Sequence, residues 1–185
     1  MKKFNFTKLS EKLPSTVPFV GPETQERLNN RLFAARLGAN ENVFGPSPLA
    51  IRAMKKEAEK IWMYGDPENH DLKLQLAKKH AVQSENIVVG EGIDGLLGYL
   101  CRLFIEPGDR VVSSLGAYPT FNFHVAGYGG QLDTVPYVND YEDPESLVEK
   151  ARETNAKLCY LALSLIHISE PTRPRLISYA VFCLK

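Results

Sequence analysis

Apolar residues fall along this chain in two regimes. In the first, Ile51, Met54, Ala58 and Ile61 recur at helical spacing, with Lys55, Lys56, Glu57, Glu59 and Lys60 on the opposite side. This predicts a helix opened by Ser47 as N-cap and Pro48 at its first position, running to about residue 62. A turn at Gly65-Asp66-Pro67 leads to a second helix over about 71–80, with Leu72, Leu76 and Ala77 facing inward. In the second regime the apolar runs are short and alternate with helical stretches. The pattern predicts strands over 87–89, 110–114, 131–136 and 158–162, and helices over 94–104, 119–126 and 144–154. Strands and helices in alternation argue for an α/β fold built of βαβ units around a mainly parallel sheet, whose ligands bind at the strand ends.

The flanks read differently. Residues 1 to about 36 hold Pro14, Pro18, Gly21 and Pro22 and little periodicity, so they predict an extended arm with a short helix near 23–30. After the 158–162 strand, Pro171 and Pro174 interrupt a stretch without clear period. That stretch, 163–185, resembles translated adapter sequence and is read as non-native, outside the fold. The resulting division is an arm and loop over 1–46, a partial domain over 47–162, and the tail.

Composition narrows the function classes. Lys+Arg and Asp+Glu number 22 each and are well mixed among the 185 residues, which offers no basic field for nucleic acid. Cys101, Cys159 and Cys183 lie far apart, so neither a disulfide framework nor a zinc ribbon is indicated. His70, His80, His124 and His167 lack metal-ligand spacing. The start has no apolar run after Lys2 and Lys3, and no run approaches a membrane span; the expectation is a cytoplasmic protein that is neither secreted nor inserted.

Two segments could carry chemistry. Gly90-Glu91-Gly92-Ile93-Asp94-Gly95 follows a predicted strand and opens a helix, where free backbone N–H groups and the helix dipole favour a phosphate. The same letters match the dinucleotide fingerprint, which also needs an acid at the end of the next strand; Ser113-Ser114-Leu115-Gly116 supplies none. A plain glycine turn with Asp94 as N-cap fits the pattern too. Further on, Tyr118 stands at a strand's C-terminal end, where a flat aromatic can stack on a planar ring or simply join Phe121 and Phe123 in the core.

Four segments, in order, resemble the fold-type I pyridoxal-phosphate-dependent aminotransferases, in particular the histidinol-phosphate aminotransferase branch. Leu37 to Pro48 is similar to its N-E-N-P-F-G-P-S-P loop, Tyr64-Gly65-Asp66-Pro67 to its Y-P-D-P turn, Asn86 to Asp94 to its N-I-x-x-x-x-G-x-D segment, and Pro107 to Phe121 to its P-G-D-x-V-x-x-x-x-P-T-Y-P-x-Y segment. The resemblance implies a three-layer αβα large domain, incomplete here, with pyridoxal 5'-phosphate as cofactor. It further implies that Gly92, Ile93 and Asp94 bind the cofactor phosphate, Tyr118 stacks on its ring, Tyr64 reaches the other subunit's phosphate in a homodimer, and Ala39 and Asn40 face the substrate. The implied reaction moves an amino group between an amino acid, or histidinol phosphate, and a 2-oxo acid.

Departures from the pattern are Val43, Gly65, Gly95 and Gly116, which loosen the substrate assignment more than the cofactor assignment. No residue here takes the place of the Schiff-base lysine: Lys55, Lys56, Lys60, Lys73, Lys78 and Lys79 fall on helix faces, and Lys150 and Lys157 precede the last strand. The expectation is an N-terminal part of such an enzyme, inactive by itself. Two rivals are a nucleotide-binding Rossmann-like domain and a non-catalytic dimerisation fragment.

Overall fold

The computed structural model describes residues 5–13, 20–36, 42, 44–162 and, for the backbone alone, 180–183. Its helices are α1 (Lys8–Lys12), α2 (Pro22–Asn29), α3 (Pro48–Glu57), α4 (His70–His80), α5 (Gly92–Phe104), α6 (Pro119–Gly127) and α7 (Pro144–Glu153). Its strands are β1 (Arg110–Ser114), β2 (Gln131–Val135), β3 (Leu158–Leu161) and β4 (Ala180–Cys183). The chain divides into two compact units, one of residues 1–19 and 90–185 and one of 20–89.

In the larger unit the alternation of β1, β2 and β3 builds the sheet. The order is β2-β1-β3-β4; β1 runs parallel to both β2 and β3, and β3 pairs antiparallel with β4. Successive strand residues point to opposite faces, and here each face receives its own layer of helix. Val111, Leu158 and Tyr160 pack with Leu97 and Cys101 of α5 and Phe121 and Val125 of α6. Val112, Val135 and Cys159 pack with Leu147 and Ala151 of α7. The result is the three-layer αβα arrangement, with β1 buried at its centre and the Phe121 and Tyr160 rings stacked at 4.2 Å. Arg110 grips Asp133 across the β1–β2 pair with two guanidinium nitrogens, and Lys157 reaches Asp109 at 2.7 Å.

One expectation for the sheet needs correction. No strand forms at 87–89: a strand needs a neighbour to hydrogen-bond, and none among the described residues pairs with this run, leaving Val88 exposed. β4 lies within residues 163–185. An open sheet edge accepts any short apolar strand, and Ala180-Val181-Phe182-Cys183 is one, paired from Leu158↔Cys183 to Leu161↔Ala180.

In the smaller unit, Ser47 caps α3 as its sequence requires, accepting from the Ala50 amide at 3.2 Å. The regular helix ends at Glu57 and a 3-10 turn continues to Lys60. The inward face expected for α3 is not covered: the helix contains no buried residue, and Met54 and Ile61 are exposed. On α4 only Ala77 is buried, and Leu72 is exposed rather than inward. Both stripes have helical periodicity, but among the described residues of this unit no apolar surface comes to meet them. Arg36 pairs with Glu23 and Glu26, each at 2.6 Å, and fastens the segment after α2 to that helix.

Candidate functional site

The N-terminus of α5 is prepared by glycine. Gly92 has φ +72°, a backbone that residues with a Cβ rarely adopt, and its amide donates to the Gly90 carbonyl at 2.8 Å. A Cβ at Gly92 would meet nothing within 4 Å, so the loop surface there is open. No side chain caps the helix. Thirteen residues of aligned peptide therefore end in uncapped first-turn N–H groups at Ile93 and Asp94, beside open space, which suits a phosphate.

Glu91, the N-cap residue, does not close that end. Its carboxylate accepts from the Tyr99 hydroxyl at 2.8 Å and lies where a side chain at Gly95 would stand, its Oε2 being 2.8 Å from that Cβ position. The hydrogen bond from Tyr99, then one from its own amide, holds the Glu91 carboxyl below the usual range; the same bond pushes the Tyr99 phenol up. Sequence reasoning missed this pairing. Its signal is the spacing of Glu91, Gly95 and Tyr99, four residues apart, which puts them on one helix face with the middle side chain missing.

Tyr118 arrives from the other direction. β1 ends at Ser114, Gly116 turns the chain with φ +94°, and Pro119 starts α6 with Tyr118 in the N-cap position. The Tyr118 hydroxyl donates to Asp94 Oδ1 at 3.0 Å, while its ring packs partly against the core below. Two residues 24 apart in sequence are thereby joined: the flat ring and the open helix N-terminus border one another. Ile93 is half-buried against the same core, which leaves its backbone rather than its side chain available.

Tyr64 belongs to the smaller unit and is fully exposed. The turn that follows it is fixed by Asp66, whose carboxylate accepts from the His70 amide at 2.8 Å and the Glu68 amide at 3.0 Å. Those two bonds, His70's first, hold the Asp66 carboxyl below its usual range and cap α4 in place of Asn69, whose side chain makes no cap bond. Ala39 and Asn40 lie outside the described residues. Among the described residues no group of His, Cys, Asp and Glu is arranged to hold a metal, and no helix is long and apolar enough to cross a membrane.

The strand ends carry a second polar group that sequence reasoning missed. Glu142 sits below the C-terminal edge of the sheet, accepts from the Ser114 hydroxyl and faces the Ala162 amide. Burial pushes its carboxyl up, against the lowering influence of those two groups. Its neighbour Asp143 behaves oppositely: it caps α7, accepting from the Ser146 hydroxyl at 2.6 Å and amide at 3.1 Å, and its carboxyl is held low by them.

Comparison with known proteins places these features in a family. The family model described as aminotransferase class I and II matches residues 35–167. The histidinol-phosphate aminotransferase of Moorella thermoacetica is 32% identical over 139 residues, 74% of this chain and 36% of its own. That of Methanosarcina barkeri is 34% identical over 128 residues, 68% of this chain and 35% of its own. The crystal structure of histidinol-phosphate aminotransferase from Sinorhizobium meliloti in complex with pyridoxal-5'-phosphate superposes with a TM-score of 0.80 at 52% identity, covering 86% of this chain and 42% of that one. The chain spans about a third of the length of these curated relatives.

Proposed function

Since the chain belongs to the aminotransferase class I and II family, we propose that it supplies the phosphate-binding loop and the ring-stacking tyrosine of a pyridoxal-phosphate-dependent aminotransferase. The substrates would be an amino acid, or histidinol phosphate as the names of the relatives suggest, and a 2-oxo acid. The observation that carries the reading is the 3.0 Å hydrogen bond between Tyr118 and Asp94, which sets a flat ring beside the uncapped N-terminus of α5. A planar heterocycle with a phosphate arm asks for those two surfaces together. The nucleotide-binding rival is disfavoured by the family assignment and by β1, which ends in Ser113 and Ser114 where a ribose-binding acid is needed.

In this reading the Ile93 and Asp94 amides donate to the phosphate, and Gly92 lets it approach the backbone. Tyr118 covers one face of the ring and excludes water from it, and its bond to Asp94 fixes the ring's tilt. Pyridoxal phosphate, when bound, supplies the carbonyl that takes up the amino group. Tyr64 would reach the phosphate of a second subunit, making the parent a homodimer, and Ala39 and Asn40 would meet the substrate. A cytoplasmic location suits a biosynthetic enzyme of this kind. No lysine of this chain is assigned the Schiff-base role: Lys55, Lys56, Lys60, Lys78 and Lys79 are exposed, and Lys150 and Lys157 are engaged by Glu153 and Asp109.

The test uses pyridoxamine 5'-phosphate, which has the ring and phosphate but no aldehyde to react with surface lysines. Its fluorescence anisotropy should rise on titration with the chain, Tyr118→Ala should abolish the rise, and NAD should not compete. Competition by NAD, or equal binding to the Tyr118→Ala chain, would reject the reading. With pyridoxal phosphate and borohydride, no single lysine should carry a stoichiometric adduct.

A further inference from the structure

We propose that Glu142 is a positioning residue: by tying the end of β1 to the end of β3, it sets where the Gly116 turn places Tyr118. The consequence for the cofactor ring rests on the reading above; the tie itself does not.

Glu142 is brought to the sheet edge by a tight turn. Val138 and Tyr141 exchange two backbone hydrogen bonds of 3.0 Å, and Asn139 and Asp140 between them have φ +51° and +64°, the signature of a turn reversed over two left-handed residues. The chain thus doubles back after β2 and presents Glu142 beneath the strand ends, just before Asp143 starts α7. There the carboxyl receives the Ser114 hydroxyl, from the last residue of β1, and faces the Ala162 amide, from the first residue beyond β3. Ser114 and Ala162 are themselves buried, at 1% exposure each. The Glu142 carboxyl stands between these two buried chain exits.

A second route leads from Glu142 to the tyrosine turn. The Tyr137 ring lies under Gly116, 3.5 Å from where a Cβ would be. Its hydroxyl and Glu142 Oε1 are both buried, with no hydrogen-bond partner among the described residues. The turn above is held by two backbone bonds, Leu115 amide to Val135 carbonyl at 2.7 Å and Ala117 amide to Ser114 carbonyl at 3.1 Å. Tyr118 follows directly. Movement of Ser114 or Tyr137 therefore moves the backbone that carries Tyr118, and an apolar side chain at 142 would leave the buried Ser114 hydroxyl without its acceptor.

The groups facing Glu142 are the Ser114 hydroxyl from β1, the Tyr137 phenol from the segment after β2, the Cys159 thiol from β3 and the Ala162 amide; Asp143 faces α7 instead. Burial first and the Glu142 charge second push both Tyr137 and Cys159 up, so both stay neutral while Glu142 titrates. For a carboxyl raised in the folded chain, the proton is held more tightly than in the unfolded one. Its stabilisation is full below the ordinary carboxyl range and is lost as pH rises through the folded value.

The experiment is hydrogen exchange of the full chain, followed at the Leu115, Ala117 and Ala162 amides and corrected for intrinsic rates. Glu142→Ala should speed exchange there by about tenfold or more, the size expected when groups bonded to a carboxyl lose their acceptor, with β2 and α4 amides unchanged. In the unsubstituted chain, protection of the three amides should decline as pH rises above the ordinary carboxyl range. Glu142→Gln, which keeps one acceptor oxygen for the Ser114 hydroxyl and cannot ionise, should retain more of the protection than Glu142→Ala and abolish the decline. Unchanged exchange in Glu142→Ala, an equal loss across β2, or the same pH profile in Glu142→Gln would overturn the proposal. Pyridoxamine phosphate titration then separates the two readings. If the unsubstituted chain fails to bind, the cofactor assignment falls while the exchange data still decide the tie. If it binds and Glu142→Ala binds equally well, the tie does not position Tyr118.

Discussion

Replacing Gly92 by alanine isolates the backbone's part in the candidate phosphate loop. At φ +72° a residue with a Cβ pays roughly 1–2 kcal/mol for the left-handed conformation. No steric clash adds to this, because the Cβ would meet no atom within 4 Å. Alanine also narrows the unfolded ensemble, returning roughly 0.4–1 kcal/mol. The net loss is about 1 kcal/mol, which for a unit of this size lowers Tm by about 3–6 °C. Gly92→Asn carries the same Cβ into the same open space but tolerates the left-handed region, so it should lie close to the unsubstituted chain. Thermal melts with urea titrations of the three chains measure this, and pyridoxamine phosphate binding shows whether the amides still point outward. Asparagine as costly as alanine would mean that sterics, not φ, demand the glycine. Alanine as stable as glycine would mean that the turn relaxes freely, and the argument for a pre-set loop would fail.

Gly95→Ala should displace the Glu91 carboxylate from Tyr99, since its Oε2 lies 2.8 Å from the new Cβ; the Tyr99 phenol should then titrate nearer its ordinary value by NMR, and an unmoved Tyr99 would contradict the pairing. Leu147→Ala empties the layer between α7 and the sheet, where Leu147 is 1% exposed, and should cost about 2–5 kcal/mol by urea unfolding; a loss below about 1 kcal/mol would show that α7 is not packed as described. The Lys157 partner holds the Asp109 carboxyl low, so that contribution exists above the ordinary carboxyl range and is lost as pH falls through the folded value; the raised Lys157 contributes until pH climbs through its own. Lys157→Met should flatten both limbs of the urea midpoint against pH, and a profile still curved at both ends would assign them to other groups.

Most of the larger unit was legible because its signals are local. The predicted strand at 110–114 has the observed bounds of β1, and the helix predicted at 94–104 is α5 with two residues added at its glycine end. Alternation within β1 and β3 also determines which helices share a core. Val111 and Val112 are adjacent and equally apolar, yet one meets α5 and α6 and the other α7, as the period of two requires. The failure at 87–89 is a failure of pairing. A three-residue apolar run is a strand only if a neighbour offers a ladder, and the tail gains one because β3 has an open edge.

The site divides along the same line. The Gly92 loop and the Tyr118 turn are each encoded within a few residues, and the bond between Tyr118 and Asp94 joins two short motifs that the sequence already exposes. Glu142 was invisible because nothing in Tyr141-Glu142-Asp143-Pro144 distinguishes a helix-capping acid from one turned beneath a sheet. Asp143 has the capping role, and only the reversal at Asn139 and Asp140 aims its neighbour elsewhere. Tyr64 shows the opposite limit. It follows Ile61 and Trp62, which are 83% and 81% exposed, on from a helix whose apolar stripe is also uncovered. Periodicity encodes that a face is built to be covered; it contains no information about the surface that covers it. The apolar stripe of α3 and the exposed Tyr64 therefore mark where the sequence alone stops predicting, and the proposed role of Tyr64 rests on a second subunit coming to meet it.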